Sequence, residues 1–358
     1  MSMIKIKSRL HDYEVVFGGC SRRTETYAAR KREADCYLVD QKVWTLYRER
    51  YFRHIDSSRV VPVEANETNK TLGTVQRFYD SLIRRSAKKN ALLISIGGGI
   101  IQDVSGFLAS TLYRGIRWIY LPTTLLAQAD SCIGSKTSLN YKKYKNLIGT
   151  FYPPHLVFID TNFLLTLDEA DFNSGLGEVA KLHIMAGPES WRRFIVDLPS
   201  LRRSKKGVLA AAIRRSLLIK KSYIEEDEFD RARRNLLNYG HCFGHALEKV
   251  SNFRIPHGQA VALGMILANN VSRNRRLLSR AADEEIFEIL APLITVRPFR
   301  YLLRTDLIIE AMKKDKKRTG KGLPLISMQA DFKLKKYQDL TERETARALN
   351  AIARRFRF

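Results

Sequence analysis

The feature that most constrains this chain is a change of pattern near residue 165. Before it, short apolar runs alternate with helical segments; after it, almost every segment is helical. YEVVF (13–17), CYLVD (36–40), VVPVE (60–64), ALLISI (91–96), RWIYLP (117–122) and HLVFID (155–160) read as strands, rich in Val, Ile, Leu and aromatics and short enough to be buried. Residues 43–52 and 69–86 read as helices between them. Continuous apolar strands separated by helices imply a mostly parallel sheet covered on both faces. From about Phe172 the periodicity predicts helices over 175–185, 191–197, 207–226, 235–251, 258–278, 282–293 and 306–317. LPLIS (323–327) reads as an isolated strand, and 341–355 as a closing helix with Thr341 as N-cap and Glu344 at the capping-box position. The expected fold class is α/β, with a mostly parallel sheet domain over 1–165 and an α-helical domain over 166–358. A cleft between two such domains is a favoured ligand site.

Composition removes several alternatives. Hydrophobic residues make up 45% of the 358 residues, which excludes general disorder. No run approaches the roughly 18–20 apolar residues that span a bilayer, and MSMIKIKSRLHDYE lacks the apolar segment of a signal peptide. Cys20, Cys36, Cys132 and Cys242 have no paired spacing. That fits a reducing cytoplasm and argues against a disulfide framework or a thiolate zinc site. The 62 Lys+Arg against 37 Asp+Glu leave a formal charge of +25, which suits nucleic acid, an anionic membrane surface or an acidic small molecule. The basic clusters at 202–206, 231–234, 273–276 and 313–321 each lie beside helical pattern, as solvated helix faces do. No zinc-finger spacing, RRM signature, heptad-linked basic region or fixed-period repeat accompanies them.

Three groups of residues carry chemistry. ISIGGGIIQDVSGF (94–107) is a strand, a triple glycine and a helix. Such a turn lets backbone approach a ligand, and the helix N-terminus favours a diphosphate; glycines can equally serve a tight turn for steric reasons alone. The segment is not the G-x-G-x-x-G fingerprint. Asp40, closing the second strand, is either a ribose acceptor or a strand-end turn residue.

The second group is RNLLNYGHCFGHALE (234–248). His241 and His245 are four apart and share one helix face, and His257 follows in IPHGQAVALGM. Glu178 sits mid-helix in GLGEVAKLHIM, where a carboxylate is costly unless paired or coordinating. Each histidine alone is as readily a hydrogen-bonded core residue. Together with Glu178 they suggest an open catalytic zinc site.

The third group is cationic. DSCIGSKTSLNYKKYKN (130–146) carries Lys136, Lys145 and Asn146 among small residues. Lys181 falls on the Glu178 face of its helix, and Lys220 and Arg234 flank the acidic EEDEFD. They are ordinary solvated cations or, if they converge, a pocket for phosphate and carboxylate groups.

GGGIIQDVSGF, LPTTLLAQADSCIGSKT, YKN, FYPP, GLGEVAK, NLLNYGHCFGHALE, HGQAVALGM and DKK occur here in the order in which they occur in 3-dehydroquinate synthase and the wider sugar-phosphate cyclases. The chain resembles that family from about residue 30 to 330. The resemblance implies an NAD-binding α/β domain, a helical domain that binds Zn2+ (or Co2+), and a homodimer. It implies metal ligands at Glu178, His241 and His257, and catalytic residues at Lys136, His245, Asp130, Asn146 and Lys181. Arg114, Lys145, Lys220, Arg234, Asn238 and Lys316 would bind substrate. Asp40, Glu67, Lys70, Gly98, Gly99, Asp103, Thr123 and Thr124 would contact NAD. The implied chemistry is transient oxidation of a substrate hydroxyl, elimination of phosphate, return of the hydride and intramolecular aldol closure.

Some positions depart from the dehydroquinate synthase pattern. Ser135 stands where that family has Gly, Tyr141 where it has His, Gln259 where it has Glu, Gln102 where Gly is common and Lys42 where Asn is usual. Lys220, Arg234 and Asn238 point back toward it, because in that family the first two positions serve a substrate carboxylate. The expected substrate is 3-deoxy-D-arabino-heptulosonate 7-phosphate. The alternatives are a sister cyclase using sedoheptulose 7-phosphate or glucose 6-phosphate in a secondary-metabolite or surface-saccharide pathway, a metal-dependent alcohol dehydrogenase, and an inactive basic nucleic-acid-binding or scaffolding protein. The expected partners are a phosphorylated sugar or sugar acid and a second copy of the chain; neither a membrane nor nucleic acid is expected.

Overall fold

The computed structural model describes residues 3–18, 36–85, 88–142, 144–296, 304–314 and 322–356. The chain folds as two compact units, Met1–Thr166 with Lys220–Phe229, and Leu167–Ile219 with Asp230–Phe358.

The first unit is built on β1 (Met3–Ile6), β2 (Tyr13–Phe17), β3 (Cys36–Asp40), β4 (Val60–Val63), β5 (Leu92–Gly97), β6 (Arg117–Pro122) and β9 (Leu156–Ile159), in the order β1-β2-β9-β6-β5-β3-β4. Only β1 runs antiparallel to its neighbour; the other pairings are parallel. All six residues of β5 are buried, as expected of a central strand with both faces covered. Around the sheet lie α1 (Gln41–Tyr51), α2 (Leu72–Arg84) and α3 (Gly99–Thr111). In α2, Val75, Phe78 and Leu82 recur at helical spacing and are buried, and Thr71 caps the first turn through Thr74 N. Tyr37, Val39, Tyr47, Phe52, Ile94, Ile96, Leu121 and Phe163 form one core, each fully buried side chain contributing about 1.5–3 kcal/mol.

A hairpin not expected from the sequence, β7 (Lys136–Tyr141) with β8 (Tyr144–Phe151), carries much of the third residue group. Its strands are half exposed and polar, so they lack the apolar run that marks the sheet strands.

The second unit is mainly helical: α4 (Glu169–Met185), α5 (Pro188–Arg202), most of α6 (Lys206–Glu226), α7 (His241–Val250), α8 (His257–Asn274), α9 (Arg280–Leu290), α10 (Thr305–Lys313) and α11 (Glu342–Arg355). Two expectations are corrected. The helix expected over 235–251 is broken: Arg233–Asn238 form a 3-10 turn, Gly240 takes a left-handed φ of 78°, and α7 starts only at His241. LPLIS is not isolated, because β10 (Leu323–Met328) pairs antiparallel with β11 (Leu334–Leu340). The polar composition of that partner, LKKYQDL, conceals it. The capping box at Thr341 and Glu344 is present, with both reciprocal hydrogen bonds. No described helix is long and apolar enough to cross a membrane.

Candidate active-site residues

In the first unit the glycine turn is held from behind. Tyr120 Oη donates to the carbonyl oxygens of Gly97 and Gly98, each at 3.0 Å, and Thr123 N donates to Gly97 O at 3.0 Å. A Cβ on Gly97 would lie 2.4 Å from Ile101, so that position requires glycine, and one on Gly98 would press on the Thr124 side chain at 3.0 Å. No side chain caps the N-terminus of α3, which leaves its N–H groups available to an anion at Gly98–Gly99. Thr124 Oγ1 is engaged locally by Ala127 N at 3.2 Å. Asp40 Oδ1 accepts from Lys42 N at 2.9 Å, and burial raises this carboxyl above its ordinary value.

A polar network joins residues expected to bind cofactor to residues expected to bind substrate. The Lys70 ammonium lies 2.5 Å from Asp103 Oδ2 and donates to Asn146 Oδ1 at 2.6 Å. Ser138 donates to Asp103 through its backbone N at 2.9 Å and its hydroxyl at 3.0 Å. Asn140 ties the hairpin to the Glu67–Lys70 turn. Its N donates to Lys70 O at 2.7 Å, its Nδ2 to Glu67 Oε2 at 2.8 Å, and its Oδ1 accepts from Asn146 N at 2.9 Å. Lys145 lies 3.3 Å from Glu67. Burial would raise the Glu67 carboxyl, but Lys70 and Lys145 outweigh it and hold the group below its ordinary value. Asn146 itself sits at a left-handed φ of 51°, a conformation asparagine tolerates better than most residues.

Asp130 and Lys220 form a second pair in this unit, Nζ to Oδ1 at 2.6 Å. Beside them, burial pushes the Cys132 thiol up to about 12, so it stays protonated at neutral pH. Lys136 opens β7 and is exposed. Arg114 is also exposed, at φ 63° directly after Tyr113 at 52° and before Gly115 at 124°.

The second unit brings the histidines together. Glu178 is 1% exposed, with Oε1 3.6 Å from His241 Nε2 and 3.4 Å from His257 Nε2. One donor atom each from Glu178, His241 and His257 lies within 4.8 Å of the other two, as do atoms of His245, Glu248 and His257. A carboxylate with two neutral imidazoles is a donor set suited to Zn2+ or Co2+. The Lys181 ammonium pairs with Glu178 Oε2 one turn along α4. His241 Nδ1 faces Tyr239 O at 3.1 Å; a carbonyl only accepts, so the proton is assigned to Nδ1 and the Nε2 lone pair faces Glu178. Burial would lower the His257 imidazole, but Glu248 and Glu178 outweigh it and hold it up at about 9, so the ring must give up its Nε2 proton before it can ligate an ion as a neutral imidazole. Arg234 is buried, and Asn238 Nδ2 donates to Asn235 O at 2.9 Å. Lys316 lies outside the described residues.

Close backbone contact sets this cluster. A Cβ on Gly258 would lie 1.8 Å from Ser174 O, and one on Gly177 would lie 2.2 Å from Gly258 O. Helices α4 and α8 therefore touch where Glu178 and His257 are carried, and Ser174 Oγ accepts from Gly258 N at 2.9 Å.

Three departures from the family pattern have structural partners. Gln259 turns toward Ala170 O (3.0 Å), Thr295 Oγ1 (3.0 Å) and Thr295 N (3.0 Å). Ser135 donates to Glu228 at 2.9 Å. Gln102 and Ser131 exchange two hydrogen bonds of 2.6 Å. Sequence reasoning gave no role to Glu248, Asn140 or Ser138. Glu248 was findable, because it lies three residues after His245 and so shares its helix face.

The sheet followed by a helical unit is the dehydroquinate synthase-like architecture. The models of the 3-dehydroquinate synthase N-terminal and C-terminal families match residues 60–174 and 175–318. The 3-dehydroquinate synthase of Clostridium tetani is 41% identical over 252 residues, 70% of this chain and 68% of that protein. The structure is similar to that of ValA, a 2-epi-5-epi-valiolone synthase from Streptomyces hygroscopicus subsp. jinggangensis with NAD+ and Zn2+ bound, with a TM-score of 0.82 and 26% identity, covering 96% of this chain and 97% of that one. A 2-deoxy-scyllo-inosose synthase complexed with carbaglucose-6-phosphate, NAD+ and Co2+ shares the fold at 22% identity and a TM-score of 0.80, covering 98% of this chain and 100% of that one. The chain belongs to the 3-dehydroquinate synthase family.

Proposed function

We propose that this chain is a phosphate-eliminating cyclase that converts 3-deoxy-D-arabino-heptulosonate 7-phosphate to a carbocycle, working in the cytoplasm as a homodimer with NAD and Zn2+ (or Co2+). The grouping of Glu178, His241 and His257 in a chain of this family carries the reading. Bound NAD would take up and return one hydride, and the ion would polarise the hydroxyl from which it comes.

The chain's own residues have separable tasks. Glu178, His241 and His257 would hold the ion, with Lys181 compensating charge on the Glu178 carboxylate. Gly98, Gly99 and the start of α3 would receive the cofactor diphosphate, with Thr123 and Thr124 beside them. Asp40, Glu67, Lys70 and Asp103 would contact the rest of the cofactor. Lys220, Arg234, Asn238, Lys145, Arg114 and Lys316 would bind the carboxylate and phosphate. Asp130, Lys136 and His245 would hold and pass protons, with Asn146 hydrogen-bonding the substrate, as the hydroxyl is oxidised, the C–O bond to phosphate breaks and the ring closes. The hydride taken is the hydride returned, so the sequence is redox-neutral and consumes no NAD.

Purified protein with NAD+ and Zn2+ should release inorganic phosphate from 3-deoxy-D-arabino-heptulosonate 7-phosphate without net NADH. Metal-loaded protein that releases none rejects this substrate. The likeness to ValA favours a second reading, a sister cyclase acting on sedoheptulose 7-phosphate or glucose 6-phosphate. The same assay with those two sugars and mass analysis of the products separates the readings. Net turnover of added NAD+ would instead indicate an alcohol dehydrogenase.

A further inference from the structure

One imidazole of the second unit has its two nitrogens committed in opposite directions. His257 Nε2 lies 3.4 Å from Glu178 Oε1, whereas Nδ1 lies 3.0 Å from Glu248 Oε2. Two candidate ligand groups share this ring: Glu178, His241 and His257, and His245, Glu248 and His257. A neutral imidazole has one N–H and one lone pair, so its tautomer decides which group it can serve as a ligand.

Glu248 is placed to decide it. Its carboxylate is 4% exposed and only accepts hydrogen bonds, which favours the proton on Nδ1 and turns the Nε2 lone pair toward Glu178. Its position is fixed twice over. The side chain leaves α7 three residues after His245. Its backbone carbonyl accepts from Phe253 N at 2.7 Å and Ser251 Oγ at 2.9 Å, which ties down the turn leading back to His257. His241 is treated in the same way by the Tyr239 carbonyl.

We propose that Glu248 is the positioning residue of the metal site, holding His257 as the Nδ1–H tautomer and confining the chain to a single ion at Glu178, His241 and His257. This deepens the metal reading above and rests on it.

Full-length protein stripped of metal is titrated with Zn2+ against a chelating competitor, and with Co2+ followed by its visible absorption. Wild type should take up one ion per chain. Glu248→Ala should weaken binding about 10- to 100-fold and change the Co2+ spectrum, the scale typical of losing a partner that orients a ligand. Glu248→Gln keeps an acceptor oxygen at the same reach and should recover most of the affinity. Melting of the metal-free proteins reports folding, and if Glu248→Ala does not fold, Glu248→Gln and wild type are compared by spectrum and affinity. Wild-type affinity and spectrum in every folded variant, or two ions per wild-type chain, overturns the proposal while leaving the metal reading standing. No uptake by wild type overturns both.

Discussion

The Lys220 ammonium lies 2.6 Å from an Asp130 carboxylate oxygen and 2.7 Å from the carbonyl oxygen of the same residue. The two side chains are only 10% and 13% exposed, so neither charge is well solvated without the other. Lys220→Met keeps the aliphatic stem and removes the charge. It should cost about 3 kcal/mol in denaturant unfolding, because a poorly solvated Asp130 carboxylate loses its ammonium partner at 2.6 Å. Adding Asp130→Asn should restore part of that stability. Unchanged stability in the single variant would mean that the pair does no structural work.

Gln259 donates from Nε2 to Ala170 O and Thr295 Oγ1 while Oε1 accepts from Thr295 N. Gln259→Glu would set a carboxylate oxygen against the Ala170 carbonyl at a fully buried position. A loss of about 2–3 kcal/mol is expected in urea unfolding at pH 7. Substrate preference should not move with it, since this side chain turns toward Ala170 and Thr295. A Gln259→Glu protein as stable as wild type but switched in substrate contradicts both expectations.

Asn140 uses its backbone N and its amide Nδ2 to hold the hairpin against the Glu67–Lys70 turn, while Oδ1 accepts from Asn146 N within the hairpin. Asn140→Ala should loosen Glu67 and Lys70 together and weaken NAD+ binding about tenfold, from loss of about 1–2 kcal/mol of hydrogen bonding. Calorimetric titration of NAD+ into the metal-loaded protein reads this directly. Equal affinity in the variant shows that the hairpin does not set the cofactor contacts.

His11 and His155 stack with ring centroids 4.1 Å apart. Burial lowers both imidazoles; in His155 the neighbouring His11 and Arg117 add to it and bring the group to about 4. Because the folded value lies below that of the unfolded chain, the stability this pair contributes is full above about pH 6.5. It is lost as pH falls from there toward 4. Partial exposure reduces the size to on the order of 1–2 kcal/mol. Urea midpoints between pH 7 and 4 should fall more steeply for wild type than for His155→Gln. Parallel slopes would assign the acid loss to other groups.

How much was legible follows from where the signal lies. The central strands could be read because burial on both faces leaves an unbroken apolar run, as in LLISIG. The β7–β8 hairpin and β11 could not, because half-exposed polar strands carry no such run. The break before His241 depends on one left-handed glycine, which a periodicity count passes over. Residue types at the site were visible, and the structure brings Glu178, His241 and His257 together. Their partners were mostly not visible: Asp130 meets Lys220 across 90 positions and Lys70 meets Asn146 across 76, separations that no local pattern encodes.

The contact of Ser174 and Gly177 with Gly258 has a consequence for divergence within this family. Where two helix backbones touch, not even a methyl group can be added, so the spacing between Glu178 and His257 is not open to gradual adjustment by side-chain size. Descendants that acquire a different sugar must do so while this crossing stays fixed. The half-exposed β7–β8 hairpin, where Tyr141 already differs from the usual residue, is where such change meets the least steric resistance.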